Sequence, residues 1–208
     1  MPFRDNRSRE NLIAVADVVA RLVRASNGHA AVLFPSYKAM DVVREMLEKR
    51  GLPFPLFQLQ KGKTNAIDQF KHSKNGVLFA SGAMWEGIDI PGDALSMLII
   101  VKLPFAAPDP VSEYERTLYP DMDAYKDRVV VPDMLVKLKQ GFGRLIRTET
   151  DSGVVTILDC RAGIGAAYHD RIIAALPSCR TVTSIEPVRQ FFIRRKPAAY
   201  FEPVKPLQ

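Results

Sequence analysis

The sequence predicts an α/β protein in which helices cover both faces of a parallel β-sheet. Segments with the helical period alternate with short apolar runs along the chain, and this order is typical of β-α-β units. The chain has 208 residues, of which 47% are hydrophobic and 25% are charged. This size and composition are those of an ordinary globular protein with one core, so one domain is expected.

The first half of the chain predicts helices and strands in alternation. Residues 10–25 carry a stripe of apolar side chains at helical spacing. Gly51 and Pro53 are typical of residues that follow the end of a helix, and Thr64 is a candidate N-cap. The predicted elements are a helix at 10–25, a strand at 32–34, a helix at 39–50, a weak strand at 55–59, a helix at 64–72 and a strand at 77–80.

The second half continues the alternation around one long connection. Residues 104–130 contain several prolines and have no clean period, so a long excursion with one short helix is expected. Prolines also punctuate residues 197–208, which are expected to form a loosely ordered tail. The other predicted elements are a strand at 97–101, a helix at 132–147, a strand at 154–159, a helix at 166–176, a strand at 180–184 and a helix at 187–195.

The segment Gln140-Gly-Phe-Gly-Arg-Leu-Ile-Arg147 places an amide and two guanidinium groups on one side of a predicted helix. Positions i, i+4 and i+7 share a helix face, so Gln140, Arg144 and Arg147 project in the same direction. Guanidinium is planar and permanently charged, and its forked donors suit phosphate oxygens. A solvated basic helix face would show the same pattern, so this segment alone leaves both interpretations open.

A second informative segment, Ser81-Gly-Ala-Met-Trp-Glu-Gly-Ile-Asp-Ile-Pro-Gly92, lies between two predicted strands. Ligands of open α/β sheets bind at the carboxyl ends of parallel strands, where this loop begins. Its glycines allow a close approach of the backbone, and Glu86 and Asp89 supply carboxylates. A purely structural loop is the alternative.

A third segment, residues 30–38, is an apolar run that ends in Ser36, Tyr37 and Lys38. This combination of a hydroxyl, an aromatic ring and a cation suits phosphate contact and base stacking. Ser36 is equally suited to be a helix N-cap.

Taken together, these three segments resemble motifs IV, V and VI of superfamily 2 helicases. The string Trp-Glu-Gly-Ile-Asp-Ile-Pro-Gly is most similar to the XPD/DinG branch, and the resemblance covers roughly residues 3–195. It implies a RecA-like fold for residues 1–196, as the second of two motor lobes. It also implies ATP hydrolysis coupled to 5′-to-3′ movement on single-stranded DNA.

The sequence contains neither of the phosphate-binding and magnesium-binding motifs that such a motor requires. Gly62-Lys63-Thr64 ends like a P-loop, but position 57 is Phe57 instead of glycine, and no Asp-Glu dipeptide occurs. ATP and Mg²⁺ are therefore expected to be held mainly by an N-terminal RecA-like lobe of the same protein that is absent from this sequence. The chain itself is expected to be an excised lobe, although a naturally short gene is an open alternative.

The resemblance assigns roles to individual residues. It implies that Gln140, Arg144 and Arg147 make the catalytic contacts with the ATP phosphates. It also implies that the residues lining the nucleotide edge of the cleft are Glu86, Gly87, Asp89 and Gly143. Single-stranded DNA would contact Ser36, Tyr37, Lys38, Ser81 and Trp85. An indole in such a loop is at least as often packed in a core as stacked on a base, so the role of Trp85 stays open.

Charge and cysteine content narrow the remaining possibilities. The formal net charge is +6, which is compatible with a polyanionic partner. Cys160 and Cys179 are too few and too far apart for a zinc or iron–sulfur site, so no metal ligands are expected in this chain. The opening residues are charged and contain no apolar segment typical of a signal peptide, and the sequence has no apolar run of about 20 residues. A cytoplasmic protein without a membrane partner is therefore expected. Two alternatives remain: the second lobe of a motor that acts on RNA, and a stand-alone binding domain without catalysis.

Overall fold

The computed structural model describes residues 8–60, 65–81, 90, 92–146 and 151–202. Within them, one sheet has the strand order β2-β3-β1-β4-β5, and every neighbouring pair is parallel. The strands are β1 Ala30–Phe34, β2 Leu56–Gln58, β3 Val77–Ser81, β4 Met97–Ile100 and β5 Val154–Ile157. All strand ends therefore lie at one edge, here called the carboxyl edge, and all strand starts lie at the opposite edge, called the amino edge.

Helices connect the strands and surround the sheet. They are α1 Arg9–Ala25, α2 Tyr37–Lys49, α3 Asn65–His72, α4 Pro110–Arg116, α5 Met122–Tyr125, α6 Val131–Leu145, α7 His169–Ala175 and α8 Glu186–Arg195. A π-helical turn at Lys126–Val130 joins α5 to α6, and short 3₁₀ turns lie at Gly92–Ala94, Cys160–Ala162 and Ala198–Phe201. No helix in the described ranges is long and apolar enough to cross a membrane.

The central strand divides its side chains between two hydrophobic cores. Ala30, Val32 and Phe34 pack in the core that contains buried residues of α1, α2 and α8. Ala31 and Leu33 point to the other side, into the core built with α3, α6 and α7. This alternation follows from the two-residue period of a strand and confirms the predicted sheet with helices on both faces.

The long connection between β4 and α6 contains more helix than the sequence predicts. The carboxylates of Asp109 and Asp121 accept backbone N–H groups and start α4 and α5, so two short helices form where one is expected. Pro132, in the first turn of α6, has no N–H to donate. The N–H of Val131 bonds to the carbonyl of Lys126, five residues back, which gives this turn its π geometry.

The predicted strand at 180–184 is wrong, because the structure places these residues in an exposed, irregular segment. Their β-branched residues favour a strand, but an exposed segment has no sheet neighbour or core to stabilise it. The predicted tail also differs from what is found up to residue 202. Ala198–Phe201 forms a 3₁₀ turn, and the buried Tyr200 ring stacks on His29 with the ring centroids 3.9 Å apart.

Candidate functional site

The loop after β1 presents three polar side chains at the carboxyl edge. Ser36 is the N-cap of α2, and its Oγ accepts the backbone N–H of Ala39 at 3.3 Å. The structural role expected for Ser36 is therefore confirmed. Tyr37 and Lys38 are exposed on the first turn of α2. A hydroxyl, an aromatic ring and an ammonium group thus stand together in a position that a polyanion can reach.

Ser81 lies at the same edge but in a different environment. It is the last residue of β3, and it lies opposite Phe34 in the parallel register. Only 3% of Ser81 is exposed, so its hydroxyl is covered in this structure. Trp85, Glu86, Gly87 and Asp89 lie outside the described residues.

The helix α6 carries the described part of the arginine-rich segment. Leu138, Gly141 and Leu145 are buried against the sheet, whereas Gln140 and Gly143 are exposed. Arg144 is half-buried and borders a narrow crevice with Leu95 and Leu98. Gln140 and Arg144 are four residues apart on one helix, so they share a face, as predicted. Arg147 lies outside the described residues.

The end of α6 lies near the amino edge, away from the loop after β1. A Cβ atom at Gly153 would lie 2.7 Å from the carbonyl oxygen of Ser96 and 2.9 Å from the side chain of Leu145. Only glycine allows this approach, which brings the end of α6 against the starts of β4 and β5. The structure therefore separates Arg144 from Ser36, Tyr37 and Lys38.

The glycine-rich segment connects these two regions. It follows Ser81 at the carboxyl edge and leads to the 3₁₀ turn Gly92–Ala94, directly before β4 at the amino edge. Leu95, which follows this turn, borders the crevice beside Arg144. One segment of the chain thus joins the loop surface at the carboxyl edge to the neighbourhood of Arg144.

A partly buried ion pair that sequence reasoning missed follows β5 at the carboxyl edge, and its aspartate also contacts the segment after β4. Arg161 donates to both carboxylate oxygens of Asp159, at 2.9 and 2.6 Å, and the N–H of Leu103 donates to Asp159 at 3.1 Å. Burial by itself would raise the pKa of Asp159, but these hydrogen bonds outweigh burial and leave the pKa below its usual value. The Arg161 guanidinium also lies over the Phe105 ring, 4.7 Å from its centroid. An aspartate at a predicted strand end with an arginine two residues later was the available signal.

A second missed feature is an open cavity of about 380 Å³ beside the edge strand β2. Its polar lining consists of the side chains of Arg44, Gln58, Gln60, Asn65 and Gln69. The Gln58 amide donates to Asp41 on α2 at 2.6 Å, which fixes its orientation. Amides and a guanidinium beside a strand end can donate hydrogen bonds to phosphates and base edges. Among the described residues, no cluster of His, Cys, Asp and Glu side chains could hold a metal ion.

Comparison with known proteins gives a consistent result. A family model described as Helicase C-terminal domain matches residues 19–179. The chain is 34% identical over 183 residues to the ATP-dependent DNA helicase YoaA of Haemophilus influenzae, a match that covers 86% of the chain and 28% of YoaA. It is 31% identical over 173 residues to the ATP-dependent helicase DinG of Mycobacterium tuberculosis, covering 82% of the chain and 26% of DinG.

The chain thus spans about a quarter of the length of these two relatives. Among solved structures, apo XPD superimposes with a TM-score of 0.65 at 24% identity, covering 81% of this chain and 35% of that chain. This likeness shows that the five-stranded sheet and its helices form a RecA-like fold.

Proposed function

Because this chain belongs to the helicase C-terminal domain family, in its DinG/XPD branch, we propose that it is the C-terminal motor lobe of an ATP-dependent DNA helicase. The observation that carries the proposal is the position of the described residues at the two ends of the glycine-rich segment, Ser81 and the turn Gly92–Ala94. This segment connects the carboxyl edge, next to Ser36, Tyr37 and Lys38, with the region beside Arg144. A motor lobe requires such a connection between its nucleic-acid surface and its nucleotide surface.

In this proposal, the half-buried Arg144 and the exposed Gln140 face an ATP molecule in a cleft between two lobes, together with Arg147. The first lobe, in another part of the polypeptide, holds the phosphates and Mg²⁺. The guanidinium groups stabilise charge that develops on the transferred phosphoryl group. Gly87, Asp89 and Gly143 shape the nucleotide edge of this lobe.

Single-stranded DNA crosses the carboxyl edge. Lys38 pairs with a phosphate, Tyr37 offers its ring to a base, and Ser36 donates its hydroxyl hydrogen while its oxygen caps α2. Trp85 extends this surface into the glycine-rich segment, which begins at the covered Ser81, and Glu86 links it to the nucleotide. The amide-lined cavity beside β2 continues the same edge.

Closure of the cleft brings the arginines to the nucleotide, so hydrolysis takes place only when both lobes are in position. The two-lobe protein should therefore hydrolyse ATP faster when single-stranded DNA is bound, and it should displace a duplex strand in the 5′-to-3′ direction. Steady-state ATPase assays with DNA and with RNA, and strand displacement on duplexes with a 5′ or a 3′ tail, test this. If RNA stimulates ATP turnover and DNA does not, the protein is a motor that acts on RNA instead of DNA.

A further inference from the structure

A buried lysine lies at the amino edge, immediately after α8. The Lys196 side chain is only 3% exposed, and its Nζ lies 2.6 Å from Oδ1 of Asp93. The same ammonium group donates to the backbone carbonyl of Ser152 at 2.7 Å. These partners are 103 and 44 residues away along the chain, so Lys196 links segments that are remote in sequence.

The surroundings hold this ammonium group in place. Val188 and Phe192 anchor α8 in the core, and the backbone N–H of Lys196 donates to the carbonyl of Phe192. The Tyr200 ring lies 5.8 Å from Nζ and stacks on His29. Removing an ammonium group from water costs free energy that only well-placed partners offset. The contacts of Lys196 with Asp93 and Ser152 must therefore keep their geometry for the buried charge to be stable.

The two partners of Lys196 have a common position in the chain. Asp93 lies in the 3₁₀ turn directly after the glycine-rich segment. Ser152 follows the arginine-rich segment and precedes β5. The backbone after each partner is fixed in the sheet, since the N–H of Val154 donates to the carbonyl of Ser96 at 2.9 Å. One cation thus connects the ends of the two segments to which the nucleotide contacts are assigned.

We propose that Lys196 is a positioning residue for the nucleotide site: it fixes the end of the glycine-rich segment relative to the end of the arginine-rich segment. This inference rests on the proposed function, because those two segments carry Asp89 and Arg147. Lys196 itself does not reach the nucleotide. It sets the spacing at which the two segments meet the phosphates when the cleft closes.

The first test uses the 208-residue chain and needs no catalysis. Lys196→Met keeps the aliphatic stem and removes the charge, and Arg194→Met is the matched control on the exposed side of α8. Hydrogen–deuterium exchange in Lys196→Met should accelerate at the amide of Ser96, directly before β4, and at that of Val154, the first residue of β5, and it should stay unchanged in β3. Acceleration confined to residues 196–202 would mean that Lys196 only anchors the C-terminal segment, and would overturn the proposal.

The second test uses the two-lobe protein. Lys196→Met should lower kcat for DNA-stimulated ATP turnover on the order of tenfold to a hundredfold, with the KM for ATP and DNA affinity nearly unchanged. Arg194→Met should behave as wild type. If Lys196→Met fails to fold, Asp93→Asn removes the same ion pair at a carboxylate that is 52% exposed, and it should show the same loss of kcat. Wild-type turnover in both Lys196→Met and Asp93→Asn would refute the role of Lys196. If the wild-type protein itself shows no DNA-stimulated turnover, the proposed function is refuted instead.

Discussion

Arg144 sits at the border between the core and solvent, and this position suits a residue that must hold its guanidinium in one direction. The apolar side of α6 anchors the helix through Leu138 and Leu145, and the crevice beside Leu95 limits the space available to the arginine side chain. An arginine that is pre-oriented in this way loses less entropy when it meets a phosphate than one on a free surface.

Arg147→Ala in the two-lobe protein should abolish most DNA-stimulated ATP turnover and leave ATP and DNA binding largely intact. Arginines that stabilise transition-state charge contribute on the order of 10³ to 10⁵ in rate in known phosphoryl-transfer systems. Arg144→Ala should lower ATP turnover to a similar extent, and the double variant should be little slower than either single variant. Arg147→Lys should not restore turnover, because an ammonium group lacks the forked donors of guanidinium. A steady-state ATPase assay at saturating DNA, with the exposed Lys139→Ala as control, measures this. Near wild-type turnover in Arg147→Ala would identify an ordinary basic helix face.

His29 should make the stability of the lobe depend on pH below neutrality. Burial lowers the pKa of His29 below 6.5, and the opposing influence of the Tyr200 carbonyl and Asp93 is smaller. Its Nδ1 is buried and makes no hydrogen bond of normal geometry with the described residues, so burial remains the larger influence on this pKa. The unfolded chain then binds a proton more readily than the folded chain. Stability is therefore full above pH 6.5 and falls as the pH drops through 6.5 towards the lowered pKa.

Thermal unfolding of wild type and of His29→Asn between pH 7.5 and pH 5.5 tests this. His29 has a φ of 45°, in the left-handed region that asparagine tolerates, so the substitution removes the titrating ring without imposing backbone strain. The midpoint of wild type should fall more steeply with pH than that of His29→Asn. Parallel curves for the two proteins would show that His29 is not the group responsible.

At the scale of elements, two glycines near the end of α6 should respond to alanine in opposite directions. Gly153→Ala forces a methyl group to within 2.7 Å of the Ser96 carbonyl oxygen, which should destabilise the fold by about 1 to 3 kcal/mol. At Gly143, inside α6, an added Cβ meets nothing within 4 Å, so Gly143→Ala should stabilise the fold by about 0.5 to 1 kcal/mol. Urea denaturation of the 208-residue chain measures both changes. Equal effects of the two substitutions would contradict the packing described here.

The elements that could be predicted from sequence are those whose local pattern and tertiary environment agree. The continuous apolar runs that became β1, β3 and β4 are buried on both faces, and the stripe on α1 faces the core. Residues 180–184 have strand propensity without a partner, and the helices α4 and α5 depend on aspartate caps within a proline-containing stretch. At residues 180–184, tertiary context decides the outcome. The caps of α4 and α5 are local signals, but apolar periodicity alone does not reveal them.

The same distinction applies to the candidate site. The cap at Ser36 and the shared face of Gln140 and Arg144 follow from local spacing. The contacts of Asp159 with Leu103 and of Lys196 with Asp93 join residues 56 and 103 positions apart. A single sequence carries no local signal for such pairs, because chain topology alone brings them together.

At the scale of the whole molecule, the 208-residue chain alone should not hydrolyse ATP above background. It should fold as a monomer with the sheet described here, because both faces of that sheet are covered within the described residues. The groups that hold the β- and γ-phosphates and Mg²⁺ are assigned to the other lobe, so transition-state charge would be stabilised from one side only. DNA-stimulated release of phosphate by the purified chain, above that of an Arg144→Ala preparation, would contradict this.

The chain should bind single-stranded DNA weakly, without sequence preference, and less tightly as salt rises. Half of a binding groove makes few phosphate contacts, and the salt dependence scales with their number. Lys38→Glu, at the carboxyl edge, should weaken binding more than Lys74→Glu, which makes the same charge change just before β3 at the amino edge. Fluorescence anisotropy with a labelled oligonucleotide at several salt concentrations measures this. Tight binding that salt does not affect, or equal effects of the two variants, would contradict the assigned surface.

The stacking of Tyr200 on His29 has a consequence for how the lobe is made. These two residues are 171 positions apart, and a ribosome adds about 5 to 20 residues per second, so roughly 9 to 34 s separate their synthesis. During that interval the start of the central strand lacks its aromatic cover and α8 has not yet been synthesised. We expect the nascent chain to leave apolar surface of the core uncovered during this interval. A message truncated just before the codon for Glu186 would yield a product that lacks both α8 and Tyr200 and never leaves this state.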